Sequence, residues 1–429
     1  MIKYFLISNL FLVFTVHLLG LDQRRIGRLE TVSWENYFAL GRNQLPFGSG
    51  SEYPDLSVVG ALVSSSNELG TATLIAPNMV VTAAHVIQNS FYDDPDPDEW
   101  IFFLGDDLSD QSSSSGWSSE DSYEVSQFLV HEGWLRRQSA EHPLGDGDSL
   151  GVDIALVILK KSVLGLFPAR IPNRNDDPLR KKAILAGYGT LITGNGSQED
   201  SSNRKRVGAE NTIDRSVPYV SVGGVDAISL GGLLAIDFDA PTRTFNSLGD
   251  NNLIDNLGVG TSSSSPLELE GSTARGDSGG PAFVFTENAW RIHGVVSYGT
   301  KDSTYGDVTV YTRLASHYDW IYENLPAWPS SKEIGELDWL ENPWLGPLRP
   351  FPNKWNFFTR YGWMYVPFPK GEFFWAWNHL MNDWVWFSFS TIPFVYSQKE
   401  GNWIYILAER SNANGIRAYS YSKKLWLSF

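Results

Sequence analysis

Gly276-Asp277-Ser278-Gly279-Gly280-Pro281 runs directly into the apolar residues Ala282–Phe285. Glycines around a serine allow backbone geometries that gather amide N–H groups about an exposed hydroxyl, and the apolar run behind it reads as a buried strand. Two further stretches carry related chemistry. Val80-Val81-Thr82-Ala83-Ala84-His85 is an apolar strand that ends in small residues and then presents a histidine. Val152-Asp153-Ile154-Ala155-Leu156-Val157 sets an aspartate at the mouth of an apolar run, where burial is costly unless the carboxylate is paired and hydrogen-bonded. Taken singly, His85 also reads as a structural histidine and Asp153 as a turn or cap residue.

Working outward from these motifs, the chain is a succession of short apolar or β-branched runs separated by Gly, Ser, Asn and Asp clusters. They include Leu56–Val63, Ala72–Ile75, Met79–Thr82, Trp100–Leu104, Val125–Val130, Ile154–Leu159, Ala183–Gly187 and Ile292–Val296. Strands at this spacing predict an all-β sandwich or barrel. A helix is expected only over Ala315–Leu325, ended by Pro326, and residues 326–335 read as a linker.

The ordered set His85, Asp153, Ser278 resembles the trypsin/chymotrypsin-like serine proteases, in the bacterial-type, secreted form, over residues 56–325. That resemblance implies two six-stranded antiparallel β-barrels closed by a C-terminal helix. It also implies a serine endopeptidase in which His85 is general base, Asp153 orients it, and the N–H groups of Gly276 and Ser278 form an oxyanion hole. Such chemistry needs no metal and no cofactor. Ser272, Ser297, Gly299 and Thr309 fall at substrate-binding positions. A neutral Ser272 at the pocket floor and a side chain at Thr309 imply a preference for small to medium apolar residues before the cleaved bond. In many members the aspartate before the nucleophile pairs with a newly cut N-terminal amine. Arg24-Arg25-Ile26-Gly27 offers Ile26 as such a partner for Asp277, although residues 21–55 are longer and more polar than the usual start. Glu268 and Glu270 read as solvated loop positions. The rival reading is a binding or adhesion protein on an inert protease fold.

Composition narrows the field further. Among 429 residues there is no cysteine, which excludes disulfides, a thiolate nucleophile, Cys-ligated metal and a lipoprotein anchor. A net charge of −16 argues against nucleic acid as a partner. The acidic run Asp93–Glu99, Asp106-Asp107 and the serines to Ser122 have a carboxylate density that suits calcium, but no ordered calcium-loop spacing, so an extended solvated segment is expected. Residues 1–20 read as a signal peptide, and no other stretch has transmembrane length, so an exported protein is expected.

Of the 17 tryptophans, 10 fall within residues 336–429. There Gly362-Trp363-Met364-Tyr365, Asp383-Trp384-Val385-Trp386, Asn402-Trp403-Ile404-Tyr405 and Leu425-Trp426-Leu427 recur at about 20 residues, with aromatics alternating along each unit. Alternation predicts stacked β-hairpins forming a small repeat domain. The pattern resembles cell-wall- and glucan-binding modules, and equally Trp-rich terminal repeats of exported proteins. Attachment to a surface glycan and a purely structural appendage both remain open at this point.

Overall fold

The computed structural model describes residues 25–29, 31–46, 48, 52–88, 95–108, 121–137, 149–196, 198–200, 205–221, 227, 230–249, 255–300, 303–335 and 337–429. The signal segment 1–20 and most of the acidic serine-rich loop lie outside them. Six strands, Val59–Ser64, Leu69–Ala76, Met79–Thr82, Ala155–Leu159, Ser122–Val130 and Trp100–Phe103, close in that spatial order into an antiparallel barrel. Leu62, Leu74, Val80, Phe102, Val125 and Val157 share its inner face and are buried.

The second unit is a seven-stranded sheet in the order Val207–Thr212, Lys182–Gly187, Pro281–Thr286, Ala289–Gly299, Val308–Arg313, Leu233–Asp237 and Arg215–Val217. Its two edge strands are one chain segment turning a corner at Ile213 and Asp214. The sheet therefore curls toward the expected second barrel but, among the described residues, strand pairing leaves it a half-barrel. A 3₁₀ turn Leu314–His317 and helix Tyr318–Asn324 follow, as expected. Both barrels contribute to one apolar cluster. Burying one Val, Leu, Ile or Phe side chain contributes about 1.5–3 kcal/mol, against about 2–4 kcal/mol for a disulfide, so a few extra buried side chains offset the missing cross-links.

Residues ahead of Leu56 are part of this body rather than a separate N-terminal segment. Helix Trp34–Gly41, unanticipated in the sequence, buries Tyr37 and Leu40, with Ser33 capping it through Glu35 N. Arg206 donates to the carbonyls of Gly41 and Val59 at 2.8 Å each and ties this helix to the first barrel. Among the described residues no helix is long and apolar enough to cross a membrane.

The C-terminal region is an eleven-stranded antiparallel sheet from Lys332–Glu333 to Leu425–Ser428, each strand paired with its neighbour in the chain. Each Trp-bearing unit is one hairpin of it. Alternation is clean: Met364, Phe374, Ala376, Val385, Phe387, Val395, Ile404 and Ala418 are buried on one face. Trp363, Trp375, Trp403 and Trp426 stand on the other, about 40% exposed. The expected linker 326–335 is corrected here. Trp328 is buried among Phe358 and Phe374 and donates Nε1–H to Asn356 Oδ1 at 2.8 Å, while Lys332–Glu333 is the first strand. An indole beside a large apolar surface gains more by burial than a Pro- and Ser-bearing stretch gains by solvation.

This sheet is docked on the protease body through charge. Glu372 accepts from Arg291 in a two-pronged contact, 2.9 and 2.6 Å, and from Arg170 at 2.9 Å. Arg291 is 1% exposed, and Arg170 also lies 3.7 Å over the Phe389 ring. Lys370 donates to the carbonyls of Tyr322 and Glu323 at the end of the terminal helix, where the helix dipole favours a cation.

Candidate active site

Strand pairing brings His85 and Asp153 together. Thr82 is opposite Ala155 in adjacent antiparallel strands, so the chain leaving one and the chain entering the other lie at the same barrel end. His85 sits on the one-turn helix Ala84–Ile87 that follows. Its Nδ1 lies 2.7 Å from Asp153 Oδ2, and its backbone N–H donates to Asp153 Oδ1 at 2.9 Å. Asp153 is wholly buried, and a third donor reaches it, Ser297 Oγ at 2.6 Å. Thr312 Oγ1 donates to its carbonyl. An irregularity between Val296 and Tyr298 against strand Val308–Arg313 sets Ser297 out of register; bulges of this kind re-aim a side chain.

Ser278 lies in the loop entering strand Pro281–Thr286. Gly276 has φ +96° and Gly279 φ +78°, conformations that favour glycine. A Cβ on Gly279 would fall 2.0 Å from Thr82 Oγ1, so the loop presses against the residues just before His85. Thr71 N donates to Ser278 O and Thr71 Oγ1 to Gly276 O, both at 2.8 Å. Gly279 N and Val296 N complete the frame with Val296 O and Gly280 O. Among the described residues neither the Gly276 nor the Ser278 N–H donates to a protein acceptor, which leaves both for a ligand.

Asp277 is buried beneath this loop and accepts from Gly189 N and Ala274 N at 2.8 Å each. Burial pushes its carboxyl up to about 7, against the lowering effect of those two amides. Strand Arg25–Arg28 pairs with Thr190–Thr193 on one side and Gly271–Ser272 on the other, with Ile26 opposite Leu191.

The cleft beside Ser278 is lined by Thr273, Ala274, Val296, Ser297, Tyr298, Gly299 and Asp307, with an empty volume of about 270 Å³ including its mouth. Ser272 and Thr309 lie at its base, joined through their hydroxyls at 3.2 Å, and Thr309 meets Thr273 Oγ1 at 2.9 Å. Asp307, which no sequence motif singled out, also borders the cleft, two positions before Thr309. Ser272 Oγ donates to its Oδ2 at 3.2 Å. Ser272 and Thr309, the residues behind the expected small-to-medium apolar preference, are both buried at this base. Of the two glutamates upstream, Glu268 is exposed as expected. Glu270 is buried, and desolvation raises its carboxyl well above the usual range. Among the described residues no cluster of three or more His, Asp or Glu could hold a metal ion.

Residues 51–315 match the sequence profile of the family described as Immunoglobulin A1 protease. Spermosin of Halocynthia roretzi is 24% identical over 293 residues, covering 68% of this chain and 62% of spermosin. Trypsin-1 of Astacus astacus is 25% identical over 279 residues, 64% of this chain and 95% of the trypsin. Serine protease SSP1 of Scolopendra subspinipes is 25% identical over 272 residues, 59% of this chain and 72% of SSP1.

Proposed function

Since the chain belongs to the Immunoglobulin A1 protease family, we propose that it is an exported serine endopeptidase acting on protein or peptide substrates through Ser278, His85 and Asp153. The carrying observation is the three-donor environment of the buried Asp153 carboxylate, which receives the His85 backbone N–H, the His85 ring and Ser297. A carboxylate on Nδ1 keeps the proton there and leaves Nε2 as the base.

In the first step His85 Nε2 takes the Ser278 proton as Oγ attacks the peptide carbonyl carbon. Charge on the carbonyl oxygen is met by the N–H groups of Gly276 and Ser278, each such donor lowering the barrier by roughly 2.7–4 kcal/mol. His85 then returns the proton to the leaving amine, and an acyl group remains on Ser278. Water, deprotonated by His85, releases the acid and restores the serine. The test is labelling by an organofluorophosphate with Ser278→Ala as control. A wild type that does not react rejects this reading in favour of an inert protease fold.

The aromatic face of the C-terminal sheet supports a second role, attachment to a glycan surface. Trp375, Trp386, Tyr396 and Trp403 form a ladder with ring centroids 5.6–6.3 Å apart, and flat exposed rings suit sugar faces. Full-length Ser278→Ala protein incubated with insoluble polysaccharide or cell walls tests it; protein left wholly in the supernatant counts against attachment.

A further inference from the structure

We infer that His317 is a positioning residue for the peptidase reaction: its ring N–H on the carbonyl of Gly151, with the His131 ring behind it, holds the turn that delivers Asp153 to His85. The inference rests on the serine peptidase reading above and deepens it. His131 directly follows strand Ser122–Val130, and His317 closes the 3₁₀ turn Leu314–His317. Remote in the chain, the two rings meet edge to face at 4.6 Å, and the Trp320 ring lies 5.0 Å from His131. Both side chains are buried.

Hydrogen-bond direction fixes where each proton sits. Gly133 N donates to His131 Nδ1 at 3.1 Å, so the proton of that ring is on Nε2. His131 Nε2 then donates to His317 Nδ1 at 3.3 Å, and His317 Nε2 donates to Gly151 O at 2.7 Å. All four ring nitrogens are used, and only two neutral rings satisfy the chain, because a further proton would set donor against donor. Burial keeps them neutral. It lowers His131 to about 3, with His317 adding to the effect, and His317 to about 4 against the raising influence of the Gly151 carbonyl. Charged groups on the surrounding elements have other partners: Glu132 pairs with Arg136, Asp319 with Arg174, and Asp153 with His85 and Ser297, while Glu323 is exposed.

Gly151 is a sensitive point to hold, two residues before Asp153. Its φ is +71°, and a Cβ there would fall 2.5 Å from Gly232 O, so the turn is pressed against residues 231–232. A Cβ on Gly231 would come within 2.6 Å of His317 Nε2, which encloses that nitrogen between Gly151 and Gly231. Beyond Gly151, Thr312 Oγ1 donates to Asp153 O at 2.8 Å and His131 N to Ile154 O at 3.1 Å. The backbone on both sides of the carboxylate is thus tied to the two segments that carry the histidines. Misplacing a catalytic group by about 1 Å costs on the order of a hundredfold in rate, so this tie has kinetic weight.

The experiment follows the rate of organofluorophosphate labelling of Ser278 in the full-length protein against reagent concentration and pH. Glutamine reaches the position of the imidazole Nε2 and keeps a donor for Gly151 O, whereas asparagine reaches only the position of Nδ1. In His317→Asn the limiting rate is expected to fall about tenfold or more, with the half-saturating concentration moving less than about twofold. Its acid limb is expected at lower pH, because a displaced Asp153 stabilises the His85 imidazolium less. His317→Gln is expected to stay within about threefold of wild type, with its acid limb in place. An Asn variant that labels like wild type, a loss that Gln repairs no better than Asn, or an acid limb that does not move overturns the positioning role alone. A wild type that never labels overturns the peptidase reading and this inference with it. Should both variants fail to fold, imidazole nitrogen NMR of the wild type decides. His131 and His317 are expected to remain neutral Nε2–H tautomers at about pH 5, where an ordinary histidine is charged, and titration of either ring near about 6.5 overturns the inference.

Discussion

Replacing Glu372 by alanine tests whether the C-terminal sheet is fastened to the catalytic body by charge. The substitution removes three hydrogen bonds at once, two from Arg291 and one from Arg170, and leaves both guanidinium groups without their main partner. Stranding one buried charge typically costs about 3–5 kcal/mol. Here the cost sits at the low end, because Arg291 keeps Asp176 at 3.7 Å and Arg170 keeps the Phe389 ring. We expect a loss of about 3 kcal/mol for Glu372→Ala and about half of that for Glu372→Gln, which retains an acceptor. Urea unfolding followed by tryptophan fluorescence reads it, since 10 of 17 tryptophans lie in that sheet. With an m-value of about 2 kcal/mol/M, the midpoint moves down by about 1.5 M. Adding Arg291→Met to Glu372→Ala recovers part of the loss, as a thioether needs no counter-ion. A midpoint shift under about 0.3 M, or no recovery in the double variant, would show that the contact is screened by water and that the docking rests on packing alone.

Ser297→Ala removes one of three donors to Asp153 and should lower kcat/KM by about tenfold or more, since hydrogen bonds to charged groups contribute about 1.5–3 kcal/mol; steady-state kinetics with the fold verified by circular dichroism checks it. Gly279→Ala forces a Cβ to within 2.0 Å of Thr82 Oγ1 at φ +78° and should abolish organofluorophosphate labelling. Stability should fall between pH 6.5 and 8.5, measured by thermal unfolding. Burial lifts the folded-state carboxyls of Asp239 and Asp277 from 3.8 to about 7, so the folded state holds protons the unfolded chain has released, and that contribution is lost as pH rises through 7. Below 6.5 the buried His131, His293 and His317, lowered to about 3, 3 and 4, act in the opposite sense by favouring folding as pH rises. A Tm that climbs from pH 6.5 to 8.5 would contradict this balance. Trp375→Ala with Trp403→Ala should leave organofluorophosphate labelling of Ser278 unchanged while reducing retention on polysaccharide, and unchanged retention would count against a glycan-binding face.

His85, Asp153 and Ser278 were legible because each lies in a short apolar-to-polar transition whose chemistry is local: a strand end, a buried aspartate, a glycine-flanked serine. The strands around them were legible for the same reason, and Met79–Thr82 matches to the residue. Asp307 was not, because nothing near it in the chain predicts that Ser272, thirty-five residues away, donates to its carboxylate. Glu270 reads as one more polar residue in a loop, and only its burial behind neighbouring strands makes it a desolvated carboxyl. In the C-terminal region alternation gave the hairpins. Gly346–Pro350, with its two prolines, gave no strand signal, yet it pairs on both sides, with prolines where the ladder requires no donated N–H.

The order and local setting of His85, Asp153 and Ser278, the β class, the absence of cross-links and the aromatic period are properties of nearest neighbours along the chain, and sequence alone determined them. Pairing register, which barrel end collects the loops, and which residues lose their water were decided by the tertiary structure. The physical reason is that electrostatic consequence depends on burial and distance in space. Asp277, Asp307 and Glu372 are chemically alike as letters. The fold makes one a buried brace under the loop that carries Ser278, one a buried acceptor for Ser272, Thr300 and Ser303, and one the contact that joins the C-terminal sheet to the β-barrel body.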